Sequence, residues 1–318
     1  MNRRTVTLSW GPVSYLEWAP ERTAAHQETA AHQETAAHQE TVVLLHGGGV
    51  DSALLSWGGL GADLARSGYR VLAPDHPGYG ESPSAPWPAT QQRLVDYTGE
   101  FVDSLGLARY AIGGLSLGGG MAVGHVLARP EKVSGAMLLA SYGLMPRLSD
   151  GPLSALRQAT TWLLVRTGAL AWTTRWLSAN ATAVSASLAR LVRGPDQRTP
   201  ELQDAVRRAG KQGRGLAQFA QWQREQVGFR GLTTDYTSQL GTFAPPALLV
   251  HGSEDSAVPI ARARAAAALI PDATLVEIPG AGHWVQRDDP ARVLAAIMEF
   301  LSGLSRTGVD SNSPRGST

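Results

Sequence analysis

Residues 110–121 read Tyr110-Ala-Ile-Gly-Gly-Leu-Ser-Leu-Gly-Gly-Gly-Met121, an apolar run that ends in a serine walled by glycines. The pattern predicts a buried strand breaking into a tight turn with Ser116 at its apex, followed by a helix over residues 121–129. Gly114 lies two positions before the serine and Gly118 two after it. A side chain at either position would collide with the neighbouring strand or helix, so glycine is the residue that fits. The helix that follows points the positive end of its dipole at the serine. A Gly-Ser-Gly cluster also suits a plain turn, so its partners elsewhere in the chain decide between the two readings.

A serine hydroxyl is a poor nucleophile at neutral pH. It needs a base within hydrogen-bond reach, and an imidazole base needs a carboxylate to fix its tautomer. Strand ends supply both: Asp255 follows the apolar run at residues 246–252, and His283 sits in the glycine-flanked loop after residues 274–278. Glu254 neighbours Asp255, but in a short loop of alternating side chains only one of the two faces His283, and Asp255 is preferred. His46, His76, His125 and His251 are the other candidate bases. His46 and His251 stand at strand ends, where imidazole commonly bonds loop backbone, and His125 lies inside a helix. The loop His46-Gly47-Gly48-Gly49 has no side chains to screen its N–H groups. An oxyanion hole is therefore expected from the backbone N–H of Gly48 with that of Leu117, and Gly47 or Gly49 could stand in for Gly48. Asp75, held between prolines, reads as a turn and cap acceptor.

Outward from the serine, short apolar runs alternate with helix-length amphipathic ones. Residues 6–18 predict a hairpin, residues 41–45, 69–75, 133–141, 246–252 and 274–278 buried strands, and residues 53–66, 90–105, 260–270 and 290–301 helices. That alternation predicts an α/β fold: a mostly parallel doubly wound sheet covered on both faces. It stops between residues 142 and 245, where no strand is expected and helices are read at residues 153–167, 171–192 and 201–227. The domain reading is a core over 1–141 and 246–302, an inserted helical cap over 142–245 and a disordered tail over 303–318. Trp162, Trp172, Trp176 and Trp222 lie in the cap. The cap carries 13 Lys plus Arg against 6 Asp plus Glu, a net +7 in a chain whose total is +1. Those arginines are expected on a solvated face, the commoner case, and one or two turned inward, which could hold an anionic substrate group, are the alternative. Residues 23–40 repeat Thr-Ala-Ala-His-Gln-Glu three times. The spacing sets His26, His32 and His38 about 120° apart around a helix, so the segment reads as an exposed low-complexity insertion and no metal site is expected.

The chain has 318 residues, no cysteine and a formal charge of +1. Disulfides and thiolate chemistry are excluded, and nothing in the charge points to nucleic acid. The start of the chain alternates apolar and polar residues and no run reaches a membrane-spanning length, so a cytoplasmic protein without a membrane span is expected.

The elbow, His46-Gly-Gly-Gly, the segment Asp75-His-Pro-Gly-Tyr-Gly-Glu-Ser82, His251-Gly-Ser-Glu-Asp-Ser-Ala-Val-Pro259 and Gly280-Ala-Gly-His-Trp284 occur together in this chain. In this the sequence resembles a capped α/β-hydrolase over nearly the whole core, and the order Ser, Asp, His is the one that family uses. The resemblance implies a Ser116-His283-Asp255 hydrolase working without a cofactor on a small-molecule substrate. Its glycine loop is similar to those of esterases and of meta-cleavage-product C–C hydrolases. From the latter it departs in Val50-Asp51, where Pro-Gly is usual, and in lacking an arginine before the acid. The expected activity is cleavage of small to medium carboxylic esters through an acyl-enzyme. C–C cleavage of an acidic diketone, and a low-turnover receptor on the same fold, are the alternatives.

Overall fold

Apolar segments of strand length set between amphipathic helices can bury both kinds of element only if helices cover a sheet on two sides. The computed structural model describes residues 1–20 and 40–310, with side chains through Leu304. The expectations for residues 23–39 and 311–318 lie outside the described residues.

Strands β1 (Asn2–Leu8) and β2 (Gly11–Trp18) form an antiparallel hairpin. β3 (Thr41–Leu45), β4 (Arg70–Pro74), β5 (Tyr110–Leu115), β6 (Val133–Leu139), β7 (Ala247–Gly252) and β8 (Ala273–Ile278) are mutually parallel, and β2 joins them antiparallel to β4. The order across the sheet is β1-β2-β4-β3-β5-β6-β7-β8, which puts β5 and its serine near the middle. Helices α1 (Ala53–Arg66), α2 (Gln91–Ser104) and α3 (Leu117–Ala128) precede the excursion after β6. That excursion holds α4 (Ser154–Arg166), α5 (Ala169–Ala179), α6 (Ala181–Leu191), α7 (Pro200–Gln212) and α8 (Leu216–Gln226). Helices α9 (Ile260–Leu269), α10 (Val285–Asp288) and α11 (Pro290–Asp310) follow β7.

Side-chain alternation along a strand feeds two cores at once. In β3, Val43 and Leu45 join the core under α2, α3 and α9, while Val42 and Leu44 join the one under α1 and α11. Such a sheet reads as a continuous apolar run because neither face meets water.

Three elements differ from their expected bounds. The helix expected over 171–192 is part of two, because Asn180 leaves the helical region (φ −95°, ψ 120°) and its side chain caps α6 by accepting from the N–H of Ala183. That expected over 201–227 is also two. Gly213 and Gly215 take the left-handed conformation (φ 65° and 81°), and the Gly215 N–H donates to Gly78 O, turning α8 down onto the loop after β4. The final helix runs to Asp310, past the expected end at Leu301. It continues because Leu304, 6% exposed, packs over Gly135 of β6, where any Cβ would meet it.

The excursion is pinched at its base. Gly143 O accepts from Tyr236 N and Pro146 O from Leu232 N, each at 2.8 Å, so the chain returns beside the point where it left.

Candidate active site

β5 ends at Leu115 and α3 begins at Leu117, leaving Ser116 alone at φ 52°, ψ −113°. A non-glycine residue with positive φ is costly and must be held in place by its surroundings. Here the end of β6 holds it: Ser116 N donates to Leu139 O and Ser116 O accepts from Tyr142 N, both at 3.0 Å. The flanking glycines follow from sterics. A Cβ on Gly114 would run into the backbone of Gly118 and Gly119, and one on Gly118 into the carbonyl of Leu45. The Leu117 N–H opens α3, where the first N–H groups have no acceptor within the helix.

After β7, Asp255 has a fully buried side chain whose Oδ2 is 2.8 Å from His283 Nδ1 and 3.2 Å from His251 Nε2. Its Oδ1 accepts from the N–H groups of Ala257 (2.8 Å) and Val258 (3.0 Å). Burial works against charge here, yet the bonds from His251 and His283, the His283 charge and the Val258 N–H outweigh it and hold the carboxyl below the usual carboxylate range. With Nδ1 engaged, His283 has Nε2 left for the cavity that it lines with Ser116. Glu254 is exposed.

The remaining histidines have other partners. His46 Nδ1 donates to Gly47 O (2.8 Å) and its Nε2 accepts from His76 N (3.0 Å), which fixes its tautomer, and burial lowers its pKa to about 3. His76 stacks on it at 3.8 Å and bonds His46 O. His125 meets the Tyr110 hydroxyl at 2.6 Å, and His251 Nε2 also reaches Val258 O at 2.8 Å. Asp75 accepts from the N–H groups of Ala53 and Glu81 and pairs with Arg3.

Two carboxylates that the sequence reading did not single out for the site belong to it. Asp51, in the departure Val50-Asp51, accepts from Gly47 N and the Ser56 hydroxyl at Oδ2 (both 2.7 Å) and from Ser52 N at Oδ1 (2.7 Å). It thereby ties down the start of the glycine loop. Burial raises its pKa to about 7 against the lowering effect of those bonds and of the nearby Arg287. Asp288 joins two segments: its carboxylate accepts from Gly282 N (2.6 Å), next to His283, and from Arg193 N (2.8 Å) and Gly194 N (2.6 Å) beyond α6. Backbone donors leave no mark in the sequence: for Asp288 they come from the distant residues 193 and 194 as well as Gly282, and for Asp51 two of its three donors are N–H groups of its own loop.

Ser116, His283 and the glycine loop open into a cavity of about 430 Å³. Its roof comes from the excursion, including Leu177 of α5, Val184 and Leu188 of α6, Val206 of α7 and Phe219 of α8. Phe219 lies directly over Gly48, where a Cβ would strike its ring. Among the described residues no Lys or Arg lines this cavity, so the alternative of an inward arginine is not met there. The excursion's basic residues sit outside the cavity because its inner surface is apolar and an unpaired guanidinium there would be costly. Nor do its tryptophans form the wall. Trp222 is buried against Tyr142, Trp162 meets Phe229, and Trp172 and Trp176 are exposed. Among the described residues no group of three or more His, Asp or Glu could hold a metal ion, and no helix is long and apolar enough to cross a membrane.

A family model described as alpha/beta hydrolase fold matches residues 40–290. The 2-hydroxymuconate semialdehyde hydrolase of Pseudomonas putida is 30% identical over 266 residues, covering 82% of this chain and 86% of that protein. The 2-hydroxy-6-oxo-6-(2'-aminophenyl)hexa-2,4-dienoic acid hydrolase of Metapseudomonas resinovorans is 27% identical over 264 residues, 82% of this chain and 83% of that one. Among solved structures, a thermophilic esterase from Thermogutta terrifontis matches 96% of this chain and 100% of its own with a TM-score of 0.69 at 22% identity, a likeness of fold.

Proposed function

The chain belongs to the alpha/beta hydrolase fold family and is a hydrolase, and from that premise we propose that it cleaves small to medium neutral carboxylic esters through an acyl-enzyme on Ser116. In this reading residues 142–245 act as a cap that encloses the acyl group. His283 Nε2 takes the proton of the Ser116 hydroxyl as Oγ attacks the ester carbonyl, and Asp255 steadies the imidazolium that forms. The N–H groups of Leu117 and Gly48 donate to the oxyanion, aided by the N-terminal end of α3. Collapse of the tetrahedral intermediate breaks the bond to the alkoxide, which leaves with the proton from Nε2. Water, deprotonated by the same nitrogen, then releases the acid and restores Ser116.

The observation that carries the choice of substrate is the wall of the cavity: apolar, without Lys or Arg, and carrying the buried carboxyl of Asp51. A dienoate substrate would have to leave its own carboxylate there without a cationic partner. The names of the two relatives favour the competing reading, C–C cleavage of an acidic diketone. One enzyme preparation assayed on p-nitrophenyl butyrate, on its ω-carboxylate analogue and on a vinylogous 1,5-diketo acid separates the two. The expected order in kcat/KM puts the neutral ester first, with the added carboxylate costing about tenfold or more. Faster turnover of the diketo acid than of any ester would overturn the ester assignment.

A further inference from the structure

The cap's buried side chains already form its core, so apolar groups left on its outer surface need another explanation. On α4, Leu156 and Leu163 are 64% and 54% exposed, and on α5 Trp172 and Trp176 are 69% and 58% exposed. Leu156 and Leu163 recur at a spacing of seven and the two tryptophans at four, so each pair shares one face of its helix. The two helices are consecutive, joined through Gly168, and turn these faces to solvent. Isolated exposed leucines are ordinary, whereas large apolar groups clustered on neighbouring helices mark a surface that meets something.

Charge indicates what it meets. Between Asp150 and Asp196 the chain has five arginines and no acidic residue. Three of them, Arg157, Arg166 and Arg175, are exposed on α4 and α5 themselves. Exposed Trp and Leu beside arginines is the composition of a surface that lies in the headgroup layer of a membrane. A second copy of the chain fits poorly, because two such faces in symmetric contact would bring like charges together. The residues by which α5 lines the cavity, Thr174, Leu177 and Ser178, centre on the side of the helix opposite Trp172 and Trp176, so an occupant of the outward face leaves the cavity wall untouched.

We propose that the outward face of α4 and α5 docks on an anionic lipid bilayer. Trp172 and Trp176 enter the interface while Arg157, Arg166 and Arg175 engage lipid phosphates. Docking does not depend on which bond the enzyme breaks.

Flotation of the full chain with vesicles of phosphatidylcholine plus phosphatidylglycerol, against phosphatidylcholine alone, tests this directly. The expected result is at least ~10-fold tighter binding to the anionic vesicles. The double variant Trp172→Ser/Trp176→Ser should lose about tenfold or more of that affinity. The triple variant Arg157→Gln/Arg166→Gln/Arg175→Gln should lose the preference for phosphatidylglycerol. None of these side chains lines the cavity, so kcat/KM on a soluble p-nitrophenyl ester should stay within about twofold in both variants, which also serves as the check on folding. Absence of binding to anionic vesicles, or variants that bind as wild type does, would overturn the proposal. So would a concentration-dependent dimer in sedimentation velocity that the tryptophan variant abolishes, which would assign the face to a second copy. If the ester reading fails, the soluble assay shows it and the flotation result is unaffected.

Discussion

A carboxylate shut away from water keeps its charge only through its donors, and at Asp51 three donors leave the balance close to neutrality. With its pKa near 7 in the folded chain and the ordinary carboxylate value in the unfolded one, the native state holds this proton longer. Its contribution to stability is therefore complete below about pH 4 and is lost as pH rises through 7, by up to about 4 kcal/mol. His46, His76 and His125 slope the other way below pH 6.5, because burial keeps them neutral in the native state. The expected signature is thus a difference. Urea midpoints of wild type minus Asp51→Asn should decline between pH 5 and 8, and a flat difference would show that Asp51 does not titrate there. The amide that this substitution introduces would also turn an N–H toward Gly47 N or Ser56, so a lower kcat/KM at every pH is expected. Asp255 sits at the opposite extreme, held ionised by two imidazoles and two N–H groups. Replacement by Asn should cost on the order of 10⁴ in kcat/KM, while Glu254→Gln, on an exposed side chain, should change it less than about threefold. The reverse ranking would move the acid to Glu254.

At the scale of elements, the loop carrying His283 is not held by the sheet alone. Asp288, at the end of α10, binds that loop to the segment after α6, and Trp284 N donates to Leu191 O at the end of α6 (2.8 Å). Loosening the excursion would therefore also loosen His283. Asp288→Ala should raise KM and lower kcat together, by about tenfold in kcat/KM, with Asp288→Asn milder because its amide oxygen still accepts. A variant with wild-type kinetics and a lowered melting temperature would restrict Asp288 to a structural role. Such links explain which parts were legible beforehand. The elbow could be read because Gly114 and Gly118 answer to local sterics, and the core strands because a sheet buried on both faces leaves uninterrupted apolar runs. The break at Asn180 could not, since asparagine can sit inside a helix or cap one, and tertiary packing decides between them. Asp51 and Asp288 escaped for a related reason: most of what they accept is backbone N–H, which has no signature in composition or spacing.

At the scale of the whole molecule, the sheet carries Ser116, Asp255 and His283, and the excursion supplies the roof of the cavity beside them. Charge follows the same division, the excursion at +7 against −6 for the rest. That count left an inward arginine open as the less common case, and among the described residues the fold lines the cavity with none. The bonds from Gly143 O to Tyr236 N and from Pro146 O to Leu232 N close the excursion into a ring at its base. The entropy of closing a ring grows only with the logarithm of its length, so doubling the residues above that neck would add about 0.6 kcal/mol. Closure itself thus sets little penalty on lengthening the excursion between the helices that pack on the core. Chain length above the neck is therefore free to vary wherever α6 keeps its bonds to the loop that carries His283.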